Sequence, residues 1–121
     1  MNITFYGAAR NVTGSKHLIE TESGKKILLD CGFFQNRGKD NDRLNRNFSF
    51  DPQQIDLMIL SHAHIDHSGN IPNLVKQGFN KTIFTTQATI DLCEVMLADS
   101  AYIQSGDIEY INRRRKRDGQ K

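Results

Sequence analysis

Apolar and polar residues alternate over residues 1–7, where Ile3 and Phe5 stand against Asn2 and Thr4, and this two-residue period predicts a short strand. The period fails over residues 8–16, where Gly14 lies among small polar side chains, so a loop or tight turn is expected. Two apolar-rich runs, 17–22 and 26–30, flank Ser23-Gly24-Lys25. Glycine supplies the backbone freedom of a tight reversal, and the pair reads as a hairpin. Its second run, Ile27-Leu28-Leu29, ends in Asp30-Cys31-Gly32, which sets a carboxylate at the end of a buried strand.

Residues 31–54 show no period and read as a long loop, pinned at several points by Phe33, Phe34, Phe48 and Phe50. Residues 57–60 are an unbroken apolar run, the pattern of a strand covered on both faces. Over 70–78, Ile71, Leu74 and Val75 recur at helical spacing, Pro72 sits in the tolerated first turn and Gly78 provides a stop. Residues 81–85 are rich in β-branched side chains and predict another short strand. The clearest helix covers 88–102, with Leu92, Val95 and Met96 on its apolar side and Asp99 interrupting the stripe. A further helix is expected over 107–117, with Ile108 and Ile111 on one side and bases gathering toward its end, where a helix dipole favours cations. Strands dominate the first half and β/α alternation the second. The fold class is therefore α/β (α+β).

Composition narrows the picture. At 121 residues, 25% charged and 37% hydrophobic, the chain is globular and forms one domain or part of one. It has no run of about 18 apolar residues and no basic-then-apolar export signal at its start, so neither a membrane span nor secretion is expected. Cys31 and Cys93 are far apart and outside any C-x-x-C pattern; free thiols in a reducing cytoplasm are the expectation. The net charge of +2 hides an asymmetry, because residues 112–121 carry six bases (Arg113, Arg114, Arg115, Lys116, Arg117, Lys121) against Asp118. Arginine pairs well with phosphate, but a solvated helix end explains the run equally well.

The chemistry concentrates in Ser61-His62-Ala63-His64-Ile65-Asp66-His67-Ser68-Gly69, an H-x-H-x-D-H spacing that holds three of the four histidines. On an extended tip, side chains two apart point the same way, so His62 and His64 can reach one ion. In a helix they would diverge, which excludes the H-E-x-x-H type of site. Asp66 and His67 need a turn to face a second ion together. Imidazole and carboxylate suit zinc, manganese or iron, and two ions about 3.5–4 Å apart acidify a shared water and neutralise charge developing on a phosphate or carbonyl oxygen. Asp30, also at a strand end, is placed to hold the second nitrogen of a ligand imidazole. His17 reads as an isolated surface or hydrogen-bonded core residue, Cys31 as a small core residue, and Tyr102 and Tyr110 as helix packing.

Three segments carry a resemblance to a known family: residues 5–15 (FYGAARNVTGS), 27–32 (ILLDCG) and 59–69, with a weaker likeness over 98–104 and 109–112. They strongly resemble the metallo-β-lactamase superfamily, most closely its β-CASP branch of RNA- and DNA-processing nucleases. The resemblance implies a four-layer αβ/βα sandwich, a dinuclear centre of divalent ions, zinc first, and phosphodiester cleavage leaving 5′-phosphate and 3′-hydroxyl ends. It gives His62 and His64 to one ion and Asp66 and His67 to the other, with Asp30 supporting the site from behind; Asp66 and Asp30 become the catalytic candidates. It also implies further histidines, a bridging aspartate and a β-CASP domain that do not occur here, since no histidine follows His67. Residues 1–121 are thus expected to be the amino-terminal, incomplete portion of the sandwich, inactive alone and part of a larger cytoplasmic enzyme. RNA is the expected substrate, with single-stranded DNA the other polymer in view, no membrane partner, and homodimerisation of the full-length form left open. Two other readings stand beside it: a hydrolase of thioesters, lactones or lactams on the same centre, and a non-catalytic nucleic-acid-binding or scaffold protein.

Overall fold

The computed structural model describes residues 1–35 and 39–119. Asn36 and Gly38 of the expected loop, and Lys121 of the basic run, lie outside the described residues. Five strands form one sheet in sequence order: β1 (Asn2–Gly7), β2 (Lys16–Glu20), β3 (Lys26–Leu29), β4 (Leu57–Ile59) and β5 (Ile83–Phe84). β1, β2 and β3 pair antiparallel, whereas β4 runs parallel to both β3 and β5. The β2–β3 reversal is the expected hairpin. Gly24 takes φ +82°, and the Lys25 N–H donates to the Thr21 hydroxyl at 3.0 Å.

The long connection from β3 to β4 departs from the expected loop. It contains helix α1 (Lys39–Arg46) and a 3-10 turn, Pro52–Gln54. Only one residue of α1, Leu44, is apolar, so no hydrophobic period marks it. Polar bonds hold it instead: Asn45 accepts from the Phe34 N–H at 2.8 Å and donates to the Phe34 carbonyl at 3.0 Å. The 3-10 turn starts at Asp51, whose carboxylate accepts from the Gln53 N–H at 2.9 Å, with Pro52 in the first position. The phenylalanines do pin the segment. Phe48 and Phe50 stack at 5.1 Å and pack against the core with Tyr6.

Beyond β4 come the single turn α2 (Ile65–Ser68) and α3 (Ile71–Lys76), the helix expected from the Ile71, Leu74 and Val75 spacing. Cross-strand register divides the sheet into two faces. One carries Leu18, Leu28 and Met58, which pack with Ile55, Leu60, Ile71, Leu74 and Phe79 into the core. The other carries Ile3, Phe5, Ile19, Ile27, Leu57, Ile59 and Phe84, and there Phe5 is 61% exposed and Phe84 55%. Cover on both faces of residues 57–60 was the expectation; instead Met58 is buried, Ile59 is open, and β4 ends one residue early. The reason is one-sided packing: the core cluster, with α3, lies against the Met58 face alone.

The last element, α4 (Gln87–Arg117), is one continuous helix of 31 residues where two were expected. Gly106 sits inside it with open space around it. A glycine in a helix costs about 1 kcal/mol relative to alanine but does not break it, unlike proline. Thr86 caps the start by accepting from the Thr89 N–H at 3.3 Å. Only Thr89 of this helix is buried, and Tyr102 and Tyr110, expected to pack, are exposed. Among the described residues, no helix is long and apolar enough to cross a membrane.

Candidate metal centre

The carboxyl ends of the parallel strands β3 and β4 gather the candidate side chains. β3 leads into Asp30, whose backbone turns through the left-handed region at φ +61°, and β4 leads through Leu60 into Ser61. Residues 31–33 then run beside 65–67 and hold them by main-chain bonds. The Cys31 N–H donates to the His67 carbonyl at 2.8 Å and the Phe33 N–H to that of Ile65 at 3.0 Å. From the other side, the Ser15 N–H donates to the Asp66 carbonyl at 2.9 Å. Such contact needs an absent side chain at Gly32, where a Cβ would lie 1.6 Å from the Asp66 oxygen. Ser68 closes the tip by donating its hydroxyl to the Ala63 carbonyl at 2.8 Å.

Within this frame, His62 and His64 lie on non-helical chain, and Asp66 and His67 on the turn α2, the local geometry that the spacing required. The His62 ring centre is 4.7 Å from that of His64 and 4.0 Å from that of His67. Nε2 of His67 lies 3.4 Å from Asp66 Oδ2, and its Nδ1 lies 2.7 Å from Asp30 Oδ2. Among the described residues, no group of three or more histidine, cysteine, aspartate or glutamate side chains forms a ready-made cage for an ion. The donor chemistry nonetheless fits a divalent cation. Three neighbouring imidazoles and a carboxylate remain accessible to solvent, and the Asp30 contact occupies His67 Nδ1 while leaving Nε2 beside Asp66.

Asp30 does more than close a turn. It is buried, its Oδ1 accepts from the Ser61 N–H at 2.8 Å, and its Oδ2 accepts from the Ser61 hydroxyl at 2.9 Å and the Ser15 hydroxyl at 3.4 Å. Cys31 is wholly buried, and burial pushes its thiol up to about 12, so it stays protonated and acts as the small core residue expected. Phe33 and Phe34 act as anchors, lying against Gly69 and against Gly7 and Gly14.

Three residues of the neighbourhood escaped the sequence reading. Lys16 is only 2% exposed; its ammonium donates to the Gly32 carbonyl at 2.5 Å and stands 4.5 Å above the Phe34 ring. Ser61 bridges Asp30 to His62 Nδ1, at 2.9 Å on each side. Ser15 reaches from Asp30 Oδ2 to His17 Nε2, at 3.4 Å on each side, so His17 is hydrogen-bonded, one of the two states expected of it. Only the register of β2 on β3 brings it there, with His17 opposite Leu29, and a lone histidine in a strand gives no such signal. The bases of α4 are exposed and remote from burial, with Arg114 and Arg117 at 3.8 and 3.4 Å from Asp118.

Comparison with known proteins places this geometry in a family. The model of the metallo-beta-lactamase superfamily matches residues 13–84. Ribonuclease TTHA0252 of Thermus thermophilus is 45% identical over 100 residues, spanning 83% of this chain and 22% of that protein. The probable RNase MJ4 of Methanocaldococcus jannaschii is 35% identical over 103 residues, spanning 85% of this chain and 23% of that one. The chain thus spans less than a quarter of the length of these curated relatives. Among solved structures, human tRNase Z, short form, superposes with a TM-score of 0.52 at 22% identity over 84% of this chain and 41% of that chain, a likeness of fold. The chain belongs to the metallo-beta-lactamase superfamily, in its β-CASP nuclease branch, and carries an incomplete part of that αβ/βα fold.

Proposed function

We propose that this chain supplies the first metal-holding segment of a zinc-dependent ribonuclease, in which His62 and His64 hold one ion and Asp66 and His67 the other. The observation that carries this reading is the gathering of the four side chains at the ends of β3 and β4, with His67 gripped by Asp30 at 2.7 Å. A divalent ion there supplies Lewis acidity, activates water at neutral pH and offsets charge on a phosphodiester. The chain's own residues do the positioning. Asp30 accepts the Nδ1 proton of His67, which fixes the ring and raises the basicity of Nε2. Asp66 lies within reach of the same nitrogen and so shares its ion.

RNA is the substrate of this proposal because relatives named as ribonucleases are 45% and 35% identical to this chain over 83% and 85% of its length. The free, unpaired thiols of Cys31 and Cys93 suit a reducing cytoplasm. In this proposal the activity belongs to a protein that completes each ion's ligand set.

The test uses the protein that carries this chain, stripped of metal and reloaded with zinc, on an end-labelled single-stranded RNA and its DNA counterpart. Zinc should restore cleavage of the RNA. His62→Ala and Asp66→Ala should each lower turnover by roughly a hundred- to a thousandfold, the scale on which loss of a group that stabilises transition-state charge is felt. Turnover near the wild-type rate in either variant would remove that residue from the mechanism.

A further inference from the structure

Asp30 is surrounded by more donors than one imidazole requires. Its carboxylate meets the Ser61 N–H, the Ser61 hydroxyl, the Ser15 hydroxyl and His67 Nδ1 at 2.8, 2.9, 3.4 and 2.7 Å. An ionised carboxylate only accepts, so each of these groups must give it a proton. A hydroxyl has one proton to give. Once that proton points at Asp30, each serine oxygen can only accept from its other neighbour. That neighbour is an imidazole nitrogen in both cases: His62 Nδ1 at 2.9 Å from Ser61, and His17 Nε2 at 3.4 Å from Ser15.

The direction of every bond is then set by one charge. His67 carries its proton on Nδ1, His62 carries its proton on Nδ1, and His17 carries its proton on Nε2. The lone pairs that remain are Nε2 of His67, Nε2 of His62 and Nδ1 of His17, the last of which is buried and has no hydrogen-bond partner among the described residues. The rings of His62 and His67 are neighbours, so their free nitrogens belong to one site.

We propose that Ser61 is a positioning residue for His62: its hydroxyl carries the demand of Asp30 to an imidazole that the carboxylate does not touch, and so presents Nε2 of His62 to a cation in the same manner as Nε2 of His67. Ser15 carries the same demand to His17 and holds its proton on Nε2, but the nitrogen left free there, Nδ1, is buried and faces no cation. Backbone geometry makes the arrangement available. Leu29 of β3 lies opposite Ile59 of β4, so Asp30 and Ser61 emerge at one end of neighbouring strands, and the same end of β2 brings Ser15 alongside. The consequence for metal rests on the proposed metal centre, whereas the protonation pattern rests on hydrogen-bond direction alone.

Imidazole tautomers are read directly from nitrogen-15 shifts in long-range proton–nitrogen correlation spectra. At about pH 8, above the ordinary histidine value of about 6.5, the protein carrying this chain should show His62 and His67 protonated on Nδ1 and His17 on Nε2, before and after zinc is added. Ser61→Ala should move His62 toward the Nε2–H form that free imidazole favours and leave His67 and His17 unchanged, while Ser61→Thr keeps the wild-type pattern. Zinc affinity should fall about 10- to 100-fold in Ser61→Ala, the range for removal of a group that orients a ligand, and return in Ser61→Thr. Ser61 is exposed, so the alanine variant opens no cavity. A His62 protonated on Nε2 in the wild type, or unmoved by Ser61→Ala, would overturn the proposal. A wild-type protein that shows the expected tautomers but binds no zinc would overturn the metal centre and leave the hydroxyl relay standing.

Discussion

Gly32 and Asp66 touch through their backbones: a methyl group on Gly32 would stand 1.6 Å from the Asp66 carbonyl oxygen and 2.0 Å from its carbon. The glycine therefore governs where Asp66 and His67 sit. Its φ is not in the left-handed region, so space and not conformational freedom is what the position demands.

Gly32→Ala should cost about 3 kcal/mol, the upper end of overpacking penalties, because the obstacle is main chain and cannot rotate away. Gly106→Ala, in open space inside α4, should instead stabilise by up to about 1 kcal/mol. Urea unfolding of the two variants beside the wild type checks both signs. A Gly32→Ala midpoint equal to that of the wild type would mean that residues 31–33 and 65–67 are not packed as described.

Asp30→Asn keeps a side chain that tolerates φ +61° but lacks the charge that makes every neighbour a donor. Zinc affinity should drop about 10- to 100-fold with the fold retained. Competition against a chromophoric chelator measures the first and circular dichroism the second. Unchanged affinity would reduce Asp30 to a turn residue.

Burial holds Lys16 at about 8, below its ordinary 10.5, and pushes Cys31 to about 12, above its ordinary 9.0. The two act oppositely on stability. Below about pH 8 both the folded and unfolded chains hold the Lys16 proton, and the penalty for burying the ammonium is fully present. Between about 8 and 10.5 the folded chain releases that proton first, so the Lys16 contribution rises with pH. Between about 9 and 12 the unfolded thiol ionises while Cys31 stays protonated, so its contribution falls. Lys16→Met should remove the rise and Cys31→Ala the fall in unfolding free energy measured across that range.

Much of this molecule is legible in its sequence, and the limits have physical causes. Alternation marks β1, Gly24 marks the hairpin, and the spacing of Ile71, Leu74 and Val75 marks α3. Helix α1 leaves no such trace, because it is held by Asn45 and by charged pairs such as Arg46 with Asp42 and not by an apolar stripe. Asp99 reads as an interruption and 103–106 as a gap between two helices, yet neither Asp99 nor Gly106 breaks α4, since a single weak helix former costs less than the cooperative ladder around it. The apolar run at 57–60 reports what those side chains prefer and cannot report which of their faces is covered. At the site, His62, His64, Asp66 and His67 announce themselves by spacing, and Asp30 by standing at a strand end. Ser15, Ser61 and His17 do not, because their roles arise only when β2, β3 and β4 are set side by side.

The open row of Ile3, Phe5, Ile59 and Phe84 decides how the native chain behaves in the test tube. Fluorescent dyes that report greasy surface will brighten on the folded state, so a melt followed with such a dye should begin bright and change little, whereas calorimetry or far-ultraviolet ellipticity will still register the transition. The same row makes protein concentration a variable of every measurement, since two copies that meet face to face hide from water what each leaves bare.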